Sequence, residues 1–261
     1  MYKKLENIWI QNSEYNCRTH DKIKIHLITY ANHKYEKSMR RLCKEAESTG
    51  WFDTITAYRP ENLDRYFTEN FNEILKQSRG AGYWIWKPYI IEKKLNEIND
   101  NDILVYLDAG CSINAKGKQR FYEYIDLLNN NDQDSISFQM VWNTEKYWTT
   151  QQIFDYFNID TDSQIANTGQ LVGGIRIMKK NDNFIKQINM ELETLYNNPL
   201  LFTDYYNNNQ QNYFIENRHD QSVFSIISKM NKYTILLNDE TFFEFDPQEP
   251  LKYPFFATRI R

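Results

Sequence analysis

Two hydrophobic periods alternate along the chain. In the run KIKIHLITYA from Lys22, the apolar residues Ile23, Ile25, Leu27 and Ile28 predict a buried strand. In HKYEKSMRRLCKEAESTG the period lengthens: Tyr35, Met39, Leu42, Cys43 and Ala46 recur at helical spacing, and Gly50 supplies a stop. A second strand is expected over 52–58, closed by Pro60, and a helix over 63–77. Strand, helix, strand, helix favours a mainly parallel sheet with helical crossovers. The segment 79–83, with Gly80 and Gly82, breaks the pattern. Pro88 suits the first turn of a helix reaching about residue 98, and a turn over 99–102 leads into an apolar strand over 103–107.

The second half repeats the alternation less regularly. A helix is expected over 118–130, with Tyr122, Ile125 and Leu128 on one face, then a strand over 135–141. The aromatic segment 147–157 reads as a helix or a polar loop, and 170–178 as one strand whose glycines, Gly169, Gly173 and Gly174, mark a bulge or a close backbone approach. Helices over 183–196 and 220–230 flank a polar and aromatic loop over 199–217, and a strand follows over 233–237. Residues 1–22 carry no period and are expected to form an extension; residues 23–261 form one domain without internal repeats. The expected fold class is α/β: a single Rossmann-like domain with a mixed, mostly parallel central sheet flanked by helices.

Composition narrows the function. A net charge of −4 argues against a nucleic-acid partner, which calls for a basic surface, but leaves room for one anion-binding pocket. The three cysteines, Cys17, Cys43 and Cys111, are far apart and lack CxxC spacing, so neither a disulfide framework nor a structural zinc site is indicated. No uninterrupted apolar segment is long enough for a transmembrane helix, and the chain is expected to be cytoplasmic. Aromatic residues make up 16% of the chain, a surplus that fits either a compositional bias or ring-stacking ligand sites.

Chemistry concentrates in RGAGYWIWKPYIIEKKLNEINDNDILVYLDAGCSIN, residues 79–114. A strand delivers Asp108 to its carboxyl end, where α/β proteins place ligands, and a basic and aromatic segment precedes it. Asp108 can bind a metal, contact a ribose or cap the next turn. Lys87 stands at a helix start, where main-chain amides would reinforce its charge toward phosphate, and Arg79 can reach the same group; both can equally be solvated. Further on, His219, Asp220 and Gln221 stand together just before an amphipathic helix. Asp220 can act as a general base or simply favour the helix start.

Four stretches in order, Thr29-Tyr30-Ala31, Tyr106-Leu107-Asp108-Ala109-Gly110, Asn167-Thr168-Gly169 and Asp220-Gln221, make residues 23–230 resemble GT-A fold glycosyltransferases that use nucleotide-diphospho-sugars. The glycogenin-like and capsular-polysaccharide branches are nearest. The resemblance implies transfer of a sugar from a UDP- or GDP-sugar to a hydroxyl of a glycan acceptor. It places the nucleobase at Thr29, Tyr30 and Ala31 and the donor sugar at Asn167 and Gly169, makes Asp108 a metal ligand or ribose contact, and counts Arg79, Lys87 and Gly110 with the donor-binding residues. Asp220 and Gln221 become the catalytic pair. If configuration inverts, Asp220 is the base; if it is retained, Asp220 holds the donor sugar and Gln221 faces the reacting carbon. The family's Asp-x-Asp motif holds Mn²⁺ or Mg²⁺, but here Gly110 replaces the second acid. Metal binding would then need Asp108 with another ligand, for which His219 is the candidate. A nucleotidyltransferase, or a carbohydrate-binding module on the same fold without catalysis, are the alternatives.

Overall fold

The computed structural model describes residues 23–130, 132–242 and 252–260; the expected extension at 1–22 lies outside them. The elements that frame the site are β1 (Ile25–Tyr30), α1 (Glu36–Thr49), β2 (Thr54–Tyr58), α2 (Trp86–Glu97), β3 (Ile103–Leu107), β4 (Ser112–Ile113), α3 (Lys118–Asn130), β5 (Ser135–Thr144), β6 (Gly169–Leu171), β7 (Ile175–Lys179), α4 (Asp182–Asn197), α5 (Asp220–Met230), β8 (Thr234–Asn238) and β9 (Phe255–Phe256). The central sheet has seven strands in the order β2-β1-β3-β7-β5-β6, with β8 joined to β5. Strands β2, β1, β3, β5 and β8 run one way and β7 and β6 the other, so the sheet is mixed and mostly parallel. Strands β4 and β9 form a separate antiparallel pair.

Strand alternation builds the two faces. On β3, Ile103, Val105 and Leu107 pack with Leu27, Leu42, Phe121, Ile125 and Phe138 on the α1 and α3 side. Leu104 and Tyr106 point to the opposite face, against Ile90, Leu95, Ile188 and Val223 from α2, α4 and α5. Residues i and i+2 of a strand share a face, so Tyr106 and Asp108 both belong to the α2, α4 and α5 side. None of the helices among the described residues is long and apolar enough to cross a membrane.

Three expectations change in detail. The segment 63–77 holds two short helices, Arg65–Asn70 and Asn72–Leu75, and the stretch 147–157 also divides, into Glu145–Trp148 and Gln151–Tyr156. The single strand expected over 170–178 is two strands, β6 and β7, both antiparallel to β5 and separated at Val172-Gly173-Gly174. The reason is local: a side chain on Gly173 would meet Gln221 Cβ at 2.9 Å, and one on Gly174 would meet Asp108 Oδ2 at 2.7 Å. The two glycines let the backbone pass directly beneath the candidate site.

The break at 79–83 is a turn of left-handed helix. Gly80, Ala81, Gly82, Tyr83 and Trp84 have φ of 58°, 51°, 96°, 54° and 59°. Tyr83 N donates to Arg79 O at 2.8 Å and Trp84 N to Gly80 O at 3.2 Å. This hand costs roughly 1–2 kcal/mol for each L-residue that adopts it, here Ala81, Tyr83 and Trp84. The surroundings hold it in place: Trp86 Nε1 donates to Gly80 O at 3.0 Å, and the Trp86 ring stacks on Tyr30 at 3.8 Å. Helix α2 starts immediately afterwards and carries Lys87.

Candidate functional site

Four elements converge on the carboxyl end of β3. Lys87 comes from the first turn of α2, Asp108 from the end of β3, Arg176 from β7 and Asp220 from the start of α5. Arg176 is paired with Tyr106 across the antiparallel ladder, which puts its side chain on the same face. Lys87 Nζ lies 2.6 Å from Asp220 Oδ2 and 3.4 Å from Asp108 Oδ1, and donates to Gly173 O at 3.1 Å. Arg176 reaches Asp220 Oδ2 at 3.5 Å and Glu191 Oε2, on α4, at 2.9 Å, with its guanidinium 3.6 Å from the centroid of the Phe224 ring. The Tyr106 hydroxyl donates to Asp108 Oδ1.

The two aspartates differ in access. The Asp108 side chain is 36% exposed, whereas that of Asp220 is 5% exposed. Burial pushes the Asp220 carboxyl above the ordinary carboxylate range, against the pull of Lys87 and Arg176. Glu191 is shifted upward by burial as well, although Arg176 opposes it. Five charged groups thus meet here, Lys87 and Arg176 against Asp108, Asp220 and Glu191, and only Asp108 faces solvent substantially.

Gln221 is fixed from both ends. Its Oε1 accepts from Gly173 N at 3.0 Å, and its Nε2 donates to Gln170 Oε1 at 2.6 Å. Gln170 in turn donates to Glu145 Oε1 at 2.9 Å, and the other oxygen of Glu145 pairs with Lys229 at 2.8 Å. A buried polar chain therefore holds the Gln221 amide against the backbone that Lys87 grips from the other side.

His219 and Arg79 belong to a neighbouring rim. His219 has φ 59° and stacks on Tyr83 at 5.0 Å, and its Nε2 bonds to Asp204 Oδ1 at 2.8 Å. Burial lowers its pKa, which favours the neutral ring as donor of that hydrogen bond. Arg79 pairs with Asp204 at 3.1 Å and Glu216 at 3.4 Å. Thr29 and Tyr30 end β1 and Ala31 follows it; the register Ile28↔Tyr106 puts Tyr30 level with Asp108. Thr29 is buried, with no hydrogen-bond partner for its hydroxyl among the described residues, and Ala31 N donates to Tyr58 O at 3.1 Å. Asn167 is turned elsewhere: its amide donates to Thr161 O and Ser163 O, both at 2.9 Å. Gly169 serves the sheet, since a Cβ there would stand 2.3 Å from Met140 O.

The residues around Asp108 do not fit a metal ion held by two or more protein ligands. His219 is committed to Asp204, Lys87 stands between Asp108 and Asp220, and the space beside Gly110 is filled by the backbone of Arg259 and Ile260. Among the described residues, no three His, Cys, Asp or Glu side chains are grouped to hold a metal.

Sequence reasoning did not find Arg176, Glu191, Asp204 or Arg218. For two of them a signal existed. Arg176 interrupts the apolar strand sequence IRIMK, and Glu191 stands in the helical stripe Phe184, Ile188, Glu191, Leu195. An arginine and an acid at two core positions are a matched pair, because neither is buried without a partner.

No family model matches the sequence, and no curated protein does. Solved structures do match in shape. A glycosyltransferase involved in glycosylation of the major capsid of PBCV-1 superimposes with a TM-score of 0.53 at 11% identity, over 89% of this chain and 91% of that one. Mouse xyloside xylosyltransferase 1 gives 0.49 at 9% identity, over 92% and 95%, and the galactosyltransferase LgtC gives 0.47 at 11%, over 87% and 83%. The mixed, mostly parallel sheet with helices on both faces is that of the GT-A fold, and the chain is a GT-A fold protein.

Proposed function

We propose that the protein is a glycosyltransferase that moves a sugar from a nucleoside-diphosphate donor, UDP- or GDP-linked, to a hydroxyl of a glycan. The observation that carries this reading is the partly exposed carboxylate of Asp108 at the carboxyl end of β3, backed by the buried Lys87 ammonium and the Tyr106 hydroxyl. Asp108 meets the donor, and Lys87 and Tyr106 fix the orientation of its carboxylate. Asp220, covered and doubly paired, holds Lys87 in position; a base that takes a proton from an acceptor must be within reach of it. Gln221, with its amide clamped, lines the floor beside Gly173.

The acceptor side is served by aromatic surface. Trp142 is 77% exposed at the carboxyl end of β5, which runs in the same direction as β3 and so ends at the same edge of the sheet as Asp108. An indole face there suits the apolar face of a sugar ring.

A thermal-shift panel of nucleotide sugars tests the proposal. A UDP- or GDP-sugar at 100 times its Kd should stabilise the fold by about 2.7 kcal/mol, a rise of several degrees in melting temperature. Equal melting temperatures across the whole panel would overturn it.

A further inference from the structure

Gln221 heads a buried polar chain that runs along one side of α5. Gln221, Ser225 and Lys229 recur every four residues and so share a face of the helix, spread over about 12 Å of its length. That face packs on β6 and on the short helix Glu145–Trp148, where Gln170 and Glu145 are fully buried. Glu145 is met by donors. Its Oε1 accepts from Thr149 Oγ1 at 2.6 Å and Gln170 Nε2 at 2.9 Å, and its Oε2 accepts from Lys229 Nζ at 2.8 Å and from Ser225 Oγ. A carboxylate offers about four lone-pair sites, and here each has a donor.

These bonds decide which way the next amide points. Around Gln170 Nε2 stand Glu145 Oε1, Thr149 Oγ1 at 3.1 Å, Trp148 O at 3.3 Å and Ser222 Oγ at 3.3 Å. The Thr149 hydroxyl donates its proton to Glu145 and the Ser222 hydroxyl donates to Trp148 O at 2.7 Å, so both turn lone pairs toward Gln170. Turning the Gln170 amide over would set its oxygen against acceptors on every side. Its oxygen therefore faces Gln221, whose Nε2 donates to it at 2.6 Å. The Gln221 oxygen is left on the other side, where it accepts from Gly173 N at 3.0 Å. The carbonyl of that same Gly173 holds Lys87, and Gly174 abuts Asp108. Gln221 itself is partly exposed, so the chain that starts at a sealed carboxylate ends at the site.

We propose that Gln170 and Glu145 are positioning residues, which make Gln221 present its carbonyl oxygen, and not its amide nitrogen, to the donor sugar. The proposal rests on the nucleotide-sugar reading for the identity of the ligand, whereas the orientation of the amide is independent of it. An oxygen with a free lone pair stabilises the positive charge that develops at the anomeric carbon as the nucleoside diphosphate departs; an amino group in its place would oppose that charge.

Two variants and two readouts on the full chain test it. Gln170→Met removes the link and leaves the Glu145–Lys229 pair in place. Glu145→Gln combined with Lys229→Met removes the charge without stranding the lysine. In protein labelled at its glutamine side-chain nitrogens, the Gln221 signal is identified by its loss in Gln221→Met. Its amide protons should exchange with solvent roughly tenfold faster in Gln170→Met than in the wild type, as loss of a buried hydrogen bond allows. The double variant should show a smaller change in the same direction, because the amide introduced at position 145 offers both a donor and an acceptor. With the nucleotide sugar that the thermal-shift panel selects, kcat for release of nucleoside diphosphate should fall roughly tenfold in Gln170→Met, with KM within about twofold of the wild type. Exchange as slow in either variant as in the wild type, or an unchanged kcat in Gln170→Met, would overturn the proposal and leave the donor class intact. A rise in KM as large as the fall in kcat would also overturn it, since the link would then serve binding alone. Faster exchange in both variants, with no nucleotide sugar turned over by the wild type, would uphold the amide orientation and overturn the nucleotide-sugar reading.

Discussion

The floor and the rim of the site handle charge in opposite ways. On the floor, Lys87, Arg176, Asp220 and Glu191 are buried and locked together at 2.6–3.5 Å, so their charges fix geometry and none is offered to a ligand. On the rim, Arg79, Asp204, Glu216 and Arg218 make pairs that are a third or more exposed, and Arg259 makes none among the described residues. Exposed pairs contribute little to stability and exchange partners at small cost, whereas removing one member of a buried network strands the others. Stability should therefore depend on the floor and ligand binding on the rim.

The largest effect is expected from Arg176→Met. It leaves Asp220 and Glu191 buried with reduced compensation and should cost on the order of 3–5 kcal/mol in urea denaturation. Adding Glu191→Leu should restore part of that. A loss below about 1 kcal/mol would place Arg176 with the rim pairs and erase the distinction.

Next in size is the left-handed turn that delivers Lys87. In Gly82→Ala the new Cβ would lie 2.8 Å from Leu75 Cα at φ 96°, and the expected loss is about 2–3 kcal/mol. Gly50→Ala is the control: φ is 65° but nothing lies within 4 Å of the added carbon, so only the backbone term of about 1–2 kcal/mol applies. Equal losses at the two positions would show that packing around the turn does not hold it.

The smallest effect is the pH response, and its sign separates the two regions. His219 and Asp204 have lowered pKa values in the fold, so between the folded and unfolded values the unfolded chain binds more protons. Their contribution is full above the unfolded values and is lost as pH falls, first through the histidine range. Asp220 and Glu191 are raised, so their contribution runs the other way and grows as pH falls toward the ordinary carboxylate range. Between about pH 7.5 and 5.5, His219→Gln should lose less stability than the wild type in urea midpoints. A larger loss in the variant would mean that His219 is charged in the fold.

What could be read from the sequence follows the same division. Asp108, Lys87 and Asp220 stand at a strand end and at helix starts, positions that periodicity locates, and the structure brings all three together. The parallel order of β2, β1 and β3 was legible for the same reason. The partners of His219 and Arg79 were not, because Asp204 is brought to them from an irregular loop over 15 and 125 residues of sequence. Asn167 is engaged locally: it ends the short helix Gln164–Asn167, and its amide donates back to Thr161 O and Ser163 O, partners that the Asn-Thr-Gly sequence does not announce. The strand expected over 170–178 hid a change of partner at Gly173-Gly174, which only the approach of Asp108 and Gln221 explains.

The most direct test of the account is phosphorus NMR of a UDP- and GDP-sugar panel incubated with wild-type protein and with Asp108→Asn. The account predicts release of nucleoside diphosphate from one donor by the wild type. It also predicts a fall of roughly 100-fold or more in Asp108→Asn, with its urea midpoint unchanged. Release at equal rates by both proteins, or from no donor in the panel, would contradict it.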